Sequence, residues 1–431
     1  MYIDNLLFAI ILIAGIGFFA RNVKRLTRNI QLGHDVNRSD NPSARWKNMA
    51  MIALGQSKMV KRPVAGLLHI IVYAGFIIIN LEVLEIIIDG LFGTHRIFSF
   101  LGGFYGFLIG SFEVLAVLVL VAVIIFWIRR NVIRLKRFAN PDLKGAPKRD
   151  ADTILYFEMV LMSLFLIMNA TDLHFQMLNS GNVISQYLTP LFHNADIAMV
   201  EAIERTAWWL HIVGILIFLN YLYYSKHLHI LLAFPNTYFA DLNAKGKFDN
   251  LESVTKEVKL MMDPNADPFA AQPADGPPAK FGASDVQDLN WVQLLNAYTC
   301  TECGRCTSSC PANQTGKKLS PRKIMMDTRD RLEEVGRNID ANKGVFVPDN
   351  KSLLNDYITP EELWACTSCN ACVEECPVNI SPLSIIMDMR RYLVMEQSAA
   401  PQSLNAMMTN IENNGAPWQY NQQDRLNWKN E

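Results

Sequence analysis

Five apolar runs, at roughly 2–20, 64–88, 104–128, 153–171 and 206–225, dominate the first 250 of 431 residues. Each is long enough to cross a bilayer as a helix, which takes about 20 residues. A backbone in hydrocarbon must satisfy its own hydrogen bonds, so each crossing segment is constrained to be helical. Charged residues make up 19% of the chain, below the roughly 25% of a soluble domain, and the shortfall is confined to this half. Residues 251–431 read as ordinary soluble protein. A disordered chain, a disulfide scaffold and a fully soluble protein are all excluded.

Charge sets the expected orientation. Residues 1–250 carry 23 Lys and Arg against 17 Asp and Glu, while residues 251–431 carry 17 against 24. The connections 21–63 and 129–150 hold ten and eight basic residues, and the other two connections hold one each, Arg96 and Arg205. Basic loops stay on the cytoplasmic side. The lipid bilayer is therefore crossed five times, with the N-terminus outside and everything after about residue 230 in the cytoplasm. The first run is preceded by Asp4 and followed by Arg21, Lys24, Arg25 and Arg28, the reverse of a signal peptide. No basic domain points to nucleic acid.

Three histidines sit where a membrane haem could use them. His69 lies about two turns into the second run. His211 and His229 are 18 residues apart, so one continuous helix would stack them on one face about 27 Å apart. Such stacking fits axial ligands at two membrane depths. His69 and His229 share the inner depth and are expected to hold one haem b. A second haem b at His211 is left open, with His174 as its partner by depth. His34, His95 and His193 read as loop residues. Asn80, Glu82, Glu85 and Glu113 are polar groups in apolar surroundings and candidates for function on that ground. Gly102, Gly106 and Gly110 suit close helix packing.

All eight cysteines fall in two runs of one spacing. The first is Cys300, Cys303, Cys306 and Cys310 followed by Pro311; the second is Cys366, Cys369, Cys372 and Cys376 followed by Pro377. This C-x2-C-x2-C-x3-C-P pattern ligates [4Fe-4S] clusters, the fourth cysteine reaching the other cluster. Cluster one is then held by Cys300, Cys303, Cys306 and Cys376, and cluster two by Cys310, Cys366, Cys369 and Cys372. Zinc sites favour separated C-x2-C pairs. Helices are expected from Ser320, at Glu361–Trp364 and over Ile385–Met395, with little sheet. Residues 251–262 read as a short amphipathic helix. Residues 263–283, with five prolines, read as a linker.

The stretches Cys-Thr-Glu-Cys-Gly-Arg-Cys at 300–306, Thr-Gly-Lys-Lys-Leu-Ser-Pro at 315–321 and Cys-Thr-Ser-Cys-Asn-Ala-Cys at 366–372 resemble the C-type iron–sulfur subunit of heterodisulfide reductase. They also resemble the corresponding subunit of anaerobic glycerol-3-phosphate dehydrogenase. The tail 410–418, with Arg425 and Trp428, is similar to the partner-binding segment of those proteins. The membrane half resembles five-span cytochromes b, namely the gamma subunit of nitrate reductase and the E-type membrane subunit of heterodisulfide reductase. His69, His211 and His229 fall where three of four ligands of those families would. Ile79 and Asn80 occupy the region of the fourth.

The resemblance implies an all-α membrane domain over 1–240, an amphipathic segment and linker over 241–285, an α-helical ferredoxin domain over 286–398 and a partner-binding tail over 399–431. It implies a cytoplasmic-membrane electron-transfer subunit working between menaquinone or ubiquinone and a cytoplasmic Cys-Cys-Gly oxidoreductase. No phosphate loop, free nucleophilic cysteine or Ser-His-Asp pattern stands in the chain, so terminal chemistry is expected elsewhere. The rival expectations are a haem-free membrane tether and a redox sensor.

Overall fold

The computed structural model describes residues 2–178, 180–265 and 280–430. Most of the linker, 266–279, lies outside the described residues. Helices α1 (Tyr2–Ile30), α3 (Pro63–Phe92), α4 (Gly103–Asn131), α5 (Ala146–Thr171) and α8 (Ile197–Tyr221) form the membrane half, with the short α2 (Pro42–Met49), α6 (Leu173–Leu178) and α7 (Ser185–Leu188) in its connections. The five long helices are long and apolar enough to cross a membrane. They close into a ring in which α1 touches α3 and α8, α4 touches α3 and α5, and α5 touches α8. Leu6, Ile10, Ile13, Leu67, Leu81 and Phe107 face outward, the surface lipid would cover.

Two helix ends differ from the expected spans. Helix α1 continues ten residues beyond its apolar run because its polar end is buried by the soluble half. Asn29 donates to the Tyr298 hydroxyl at 2.9 Å, and Arg28 pairs with Asp340. Gly336 lets this happen: a Cβ there would stand 2.5 Å from Asn29 Nδ2. Helix α8 begins at Ile197, capped by Asp196, whose carboxylate accepts the Met199 N–H at 2.7 Å.

The continuous fifth helix through His229 does not form. Helix α8 ends at Tyr221, Ser225 is extended, and α9 (His229–Tyr238) starts afresh. Asp150 causes the break by accepting the Tyr221 hydroxyl at 2.7 Å and the Lys226 N–H at 3.1 Å. His211 and His229 therefore do not share one helical face. Nor do Gly106 and Gly110 receive another helix; they receive the loop at Ser180–Val183.

In the soluble half, α10 (Glu252–Met262) precedes the linker. After the linker come α11 (Trp291–Thr299), α12 (Arg305–Ser308), α13 (Pro311–Gln314), α14 (Pro321–Ala341), α15 (Leu353–Asp356), α16 (Pro360–Trp364), α17 (Ala371–Glu375), α18 (Pro382–Met395) and α19 (Gln402–Asn414). Their starts follow capping chemistry. Ser320 caps α14, and Thr359 with Glu362 forms a capping box on α16. Among the described residues there is no strand, only two isolated bridges.

Candidate electron-transfer site

The two cysteine loops repeat one backbone. Glu302 and Ser368 have φ near +53° and +56°, and Gly304 and Asn370 near +72° and +58°. Left-handed residues at matching places turn each loop sharply between successive cysteines. Helices α12 and α17, which follow the two loops, pack together. Each motif's fourth cysteine is thereby carried to the other loop. One cavity is lined by Cys300, Cys303, Cys306 and Cys376, and also reaches Cys372. Cys310 is the first-motif thiol beside Cys366 and Cys372. Cys310 caps α13 ahead of Pro311, whereas Pro377 enters a turn and the next helix waits until Pro382.

Seven of the eight thiols are buried or half-buried, and Cys369 alone is exposed. Burial first, then neighbouring thiols (with Glu302 at Cys300), pushes Cys300 and Cys372 up to about 12 and Cys376 up to about 11. Backbone N–H groups of Ser368 and Ile380 donate to Cys366 and Cys376 sulfur at 3.4 and 3.3 Å. Such bonds suit thiolates held in a cluster. Among the described residues no three His, Cys, Asp or Glu side chains converge on the spacing of a single metal ion. A mononuclear zinc site would require that convergence. The donor set fits a larger cluster with four thiolates.

Basic residues of the 21–63 connection meet the end of the second motif, which carries Cys376 to the first loop. Lys58 Nζ donates to the Cys376 carbonyl at 3.3 Å, and Arg305 donates back to the Lys58 carbonyl at 3.0 Å. Lys61 and Arg62 pair with Glu374 and Glu375 at 2.8 and 2.9 Å. Arg322, buried behind Gly304, pairs with Asp142. Lys61 and Arg62 thus set cations of the membrane half against acids of the soluble half, while the Arg322–Asp142 pair runs the other way.

His69 and His229 face each other across this junction, ring centres 6.4 Å apart and planes at 42°. Two imidazoles bound about 2 Å from one metal on opposite sides put their ring centres roughly 6 Å apart. His229 Nδ1 lies 3.1 Å from the Lys226 carbonyl; as donor there it leaves Nε2 as the lone pair. His69 Nδ1 is buried without a partner. Burial holds His229 below the usual imidazole range, in the neutral form a metal needs. This pair fits a bis-histidine haem.

The second pair does not assemble. His211 is buried with its ring 6.1 Å from Phe165, while His174 is exposed and stacks edge-on against His95 at 5.5 Å. His95 in turn meets Asp172 at 3.2 Å. The expected partnership of His211 and His174 is therefore not formed, because the loop carrying His95 captures His174.

Some site residues give no sequence signal. His227 lies 5.4 Å from His229, at the break between α8 and α9. Burial pushes it down to about 3. Lys226 pairs with Glu302, which also receives Arg329 at 2.8 Å. The bare spacing of Glu302 between Cys300 and Cys303 is visible in the sequence; its partners 76 and 27 residues away are not.

Residues 299–380 match the family described as 4Fe-4S dicluster domain. This chain carries an iron–sulfur dicluster domain. It is 30% identical to the probable iron–sulfur-binding oxidoreductase FadF of Bacillus subtilis, over 99% of this chain and 61% of that protein. It is 25% identical to the EtfAB:quinone oxidoreductase of Syntrophomonas wolfei, over 92% of this chain and 55% of the relative. One component of a CoB-CoM heterodisulfide reductase of Methanosarcina acetivorans is 32% identical over 28% of this chain and 60% of its own length. The chain spans less than two thirds of the length of these relatives. No solved structure matches it. The likenesses support iron–sulfur electron transfer, and the five apolar helices support membrane association.

Proposed function

We propose that the chain is a membrane-anchored electron conduit between quinone in the bilayer and a redox partner in the cytoplasm. The observation that carries this is the facing pair His69 and His229 at the junction with the first cysteine motif. A haem b and two [4Fe-4S] clusters would supply one-electron steps at successive points. Cys300, Cys303, Cys306 and Cys376 would hold one cluster, and Cys310, Cys366, Cys369 and Cys372 the other. His69 and His229 would hold the haem. The residues between these points are short links: His229 follows Lys226 by three positions, and Lys226 reaches Glu302 inside the motif. Arg305, next to Cys306, reaches the Lys58–Met59 turn below α3. These contacts fix distance and exclude water.

The quinone assignment is supported by the name of the Syntrophomonas relative, and the N-out, cysteine-domain-in orientation by the basic connections. A Cys-Cys-Gly oxidoreductase is the proposed cytoplasmic partner, docking over exposed Cys369 and the tail 399–431. The same domain limits are proposed as read from sequence: 1–240, 241–285, 286–398 and 399–431. The test is anaerobic addition of quinol to the purified chain in lipid nanodiscs, with cluster EPR as readout. Reduced-cluster signals are expected. Clusters that dithionite reduces and quinol never reduces would leave only a tether.

A further inference from the structure

A cavity of about 190 Å³ opens at the end of the bundle far from the cysteines, between α1, α3 and α8. It is about 20 Å along α3 from His69, thirteen residues on. Its lining mixes acids with an aromatic corner, in which Phe8 lies 5.5 and 6.0 Å from Trp208 and Trp209. Almost every charge here is already engaged. Arg96 binds Asp172 at 2.7 Å and Asn169 at 2.8 Å. Arg205 binds Glu204 at 2.7 Å. Glu85 accepts from the Tyr105 hydroxyl at 2.8 Å and the Phe98 N–H at 2.9 Å. Asp89 accepts from the Arg96 N–H at 2.6 Å.

Asp4 and Glu82 are the exceptions; Asp4 is exposed to solvent, and Glu82 alone of the two is buried. Glu82 lines the cavity, is only 4% exposed, and its Oε2 has no partner. A buried carboxyl oxygen without a donor is costly, so this position calls for a donor from a bound molecule. An anion is excluded by the excess of acids and by the two arginines being paired. A bare cation is disfavoured, because no three carboxylate or histidine side chains among the described residues converge on one point. A flat apolar ring bearing a hydroxyl would supply that donor and suit the aromatic corner.

We propose that this cavity is the quinol head-group site, with the ring against Trp208 and Phe8 and Glu82 accepting a hydroxyl hydrogen bond. This rests on the proposed exchange with quinone. A carboxylate at Glu82 only accepts and so favours quinol, whereas its protonated form would also donate to quinone; the expected preference belongs to the ionised state.

The experiment is equilibrium dialysis of 2,3-dimethyl-1,4-naphthoquinone and of its reduced quinol against the full chain in nanodiscs, under anaerobic conditions. The wild-type chain should bind quinol about tenfold more tightly than quinone, the weight of one charge-assisted hydrogen bond. Glu82→Gln should lose or invert that preference, because an amide can donate to a carbonyl. Trp208→Ala should weaken both forms, with unaltered cluster EPR showing that the chain is folded. An unchanged preference in Glu82→Gln, while quinol still reduces the clusters, overturns this site and leaves the conduit standing. Quinol that fails to reduce wild-type clusters overturns the conduit itself.

Discussion

Lys226, on the turn between α8 and α9, donates to Glu302, between the first two cysteines of the first motif. Both side chains are under a tenth exposed. The pair ties the segment that positions His229 to the loop that positions Cys300 and Cys303. Arg329 completes it at 2.8 Å, so Glu302 sits between two cations and is held below the usual carboxylate range by them against the cost of burial.

Lys226→Ala leaves Glu302 with Arg329 alone. A buried group losing one of its partners should cost roughly 1–3 kcal/mol. The melting temperature of the detergent-solubilised chain should fall. Because the two residues form one unit, adding Glu302→Gln should cost less than it does in the wild-type background. Strictly additive losses would show that the two side chains do not cooperate.

The cysteine runs, the five apolar runs and the cap at Ser320 are local signals, and they are legible in the sequence. Contacts that depend on chain-distant partners are not. Asp150 breaks the fifth helix from 71 residues away. The polar end of α1 reads as a loop until Tyr298 and Gly336 cover Asn29. His174 meets His95, far upstream in the chain, rather than His211. Glu82 is marked by its polarity in an apolar run, but only the engaged states of Glu85, Asp89 and Glu204 single it out.

Cross-ligation can be tested directly. Cys376 lies with Cys300, Cys303 and Cys306, so Cys376→Ser should damage the cluster of the first motif and spare the other. Iron per chain should fall from about eight toward four. EPR that loses the second motif's cluster while keeping the first would reverse the assignment.

Removing the clusters should expose a difference among the thiols. Burial raises Cys300 and Cys376 far above neutral pH, so both are protonated in the iron-free fold and unreactive near neutral pH. Cys369 is exposed. Mass-spectrometric alkylation should label Cys369 well before the other two, with the gap closing as pH rises toward about 11. Equal labelling of all three near neutral pH would mean that their packing does not survive iron loss.

The proposed orientation rests on the ten and eight basic residues of 21–63 and 129–150, since basic loops favour the inside. Reporter fusions truncated after Arg28 or Gly145 should read as cytoplasmic, and one after Gly181 as external. The structure adds a reason for the first two, since Lys58, Lys61, Arg62 and Asp142 all bind the cysteine domain. External reporters at Arg28 and Gly145 would put the clusters in the wrong compartment for a cytoplasmic partner.

His69 and His229 are buried on different helices with rings 6.4 Å apart, and the Lys226 carbonyl fixes the tautomer of one. Packing alone would not require imidazoles there; Leu or Phe would fill the space at less desolvation cost. His69→Ala should therefore remove b-type absorbance and stop quinol-driven cluster reduction, while dithionite still reduces the clusters. His211→Ala should leave that absorbance in place, since His211 meets Phe165 and not a second ligand. His227→Ala separates the two histidines that the helix break brings close. If His227 replaces His229 as ligand, His227→Ala will abolish the signal and His229→Ala will spare it. A wild-type preparation with iron–sulfur signals and no b-type absorbance would reduce the membrane half to an anchor.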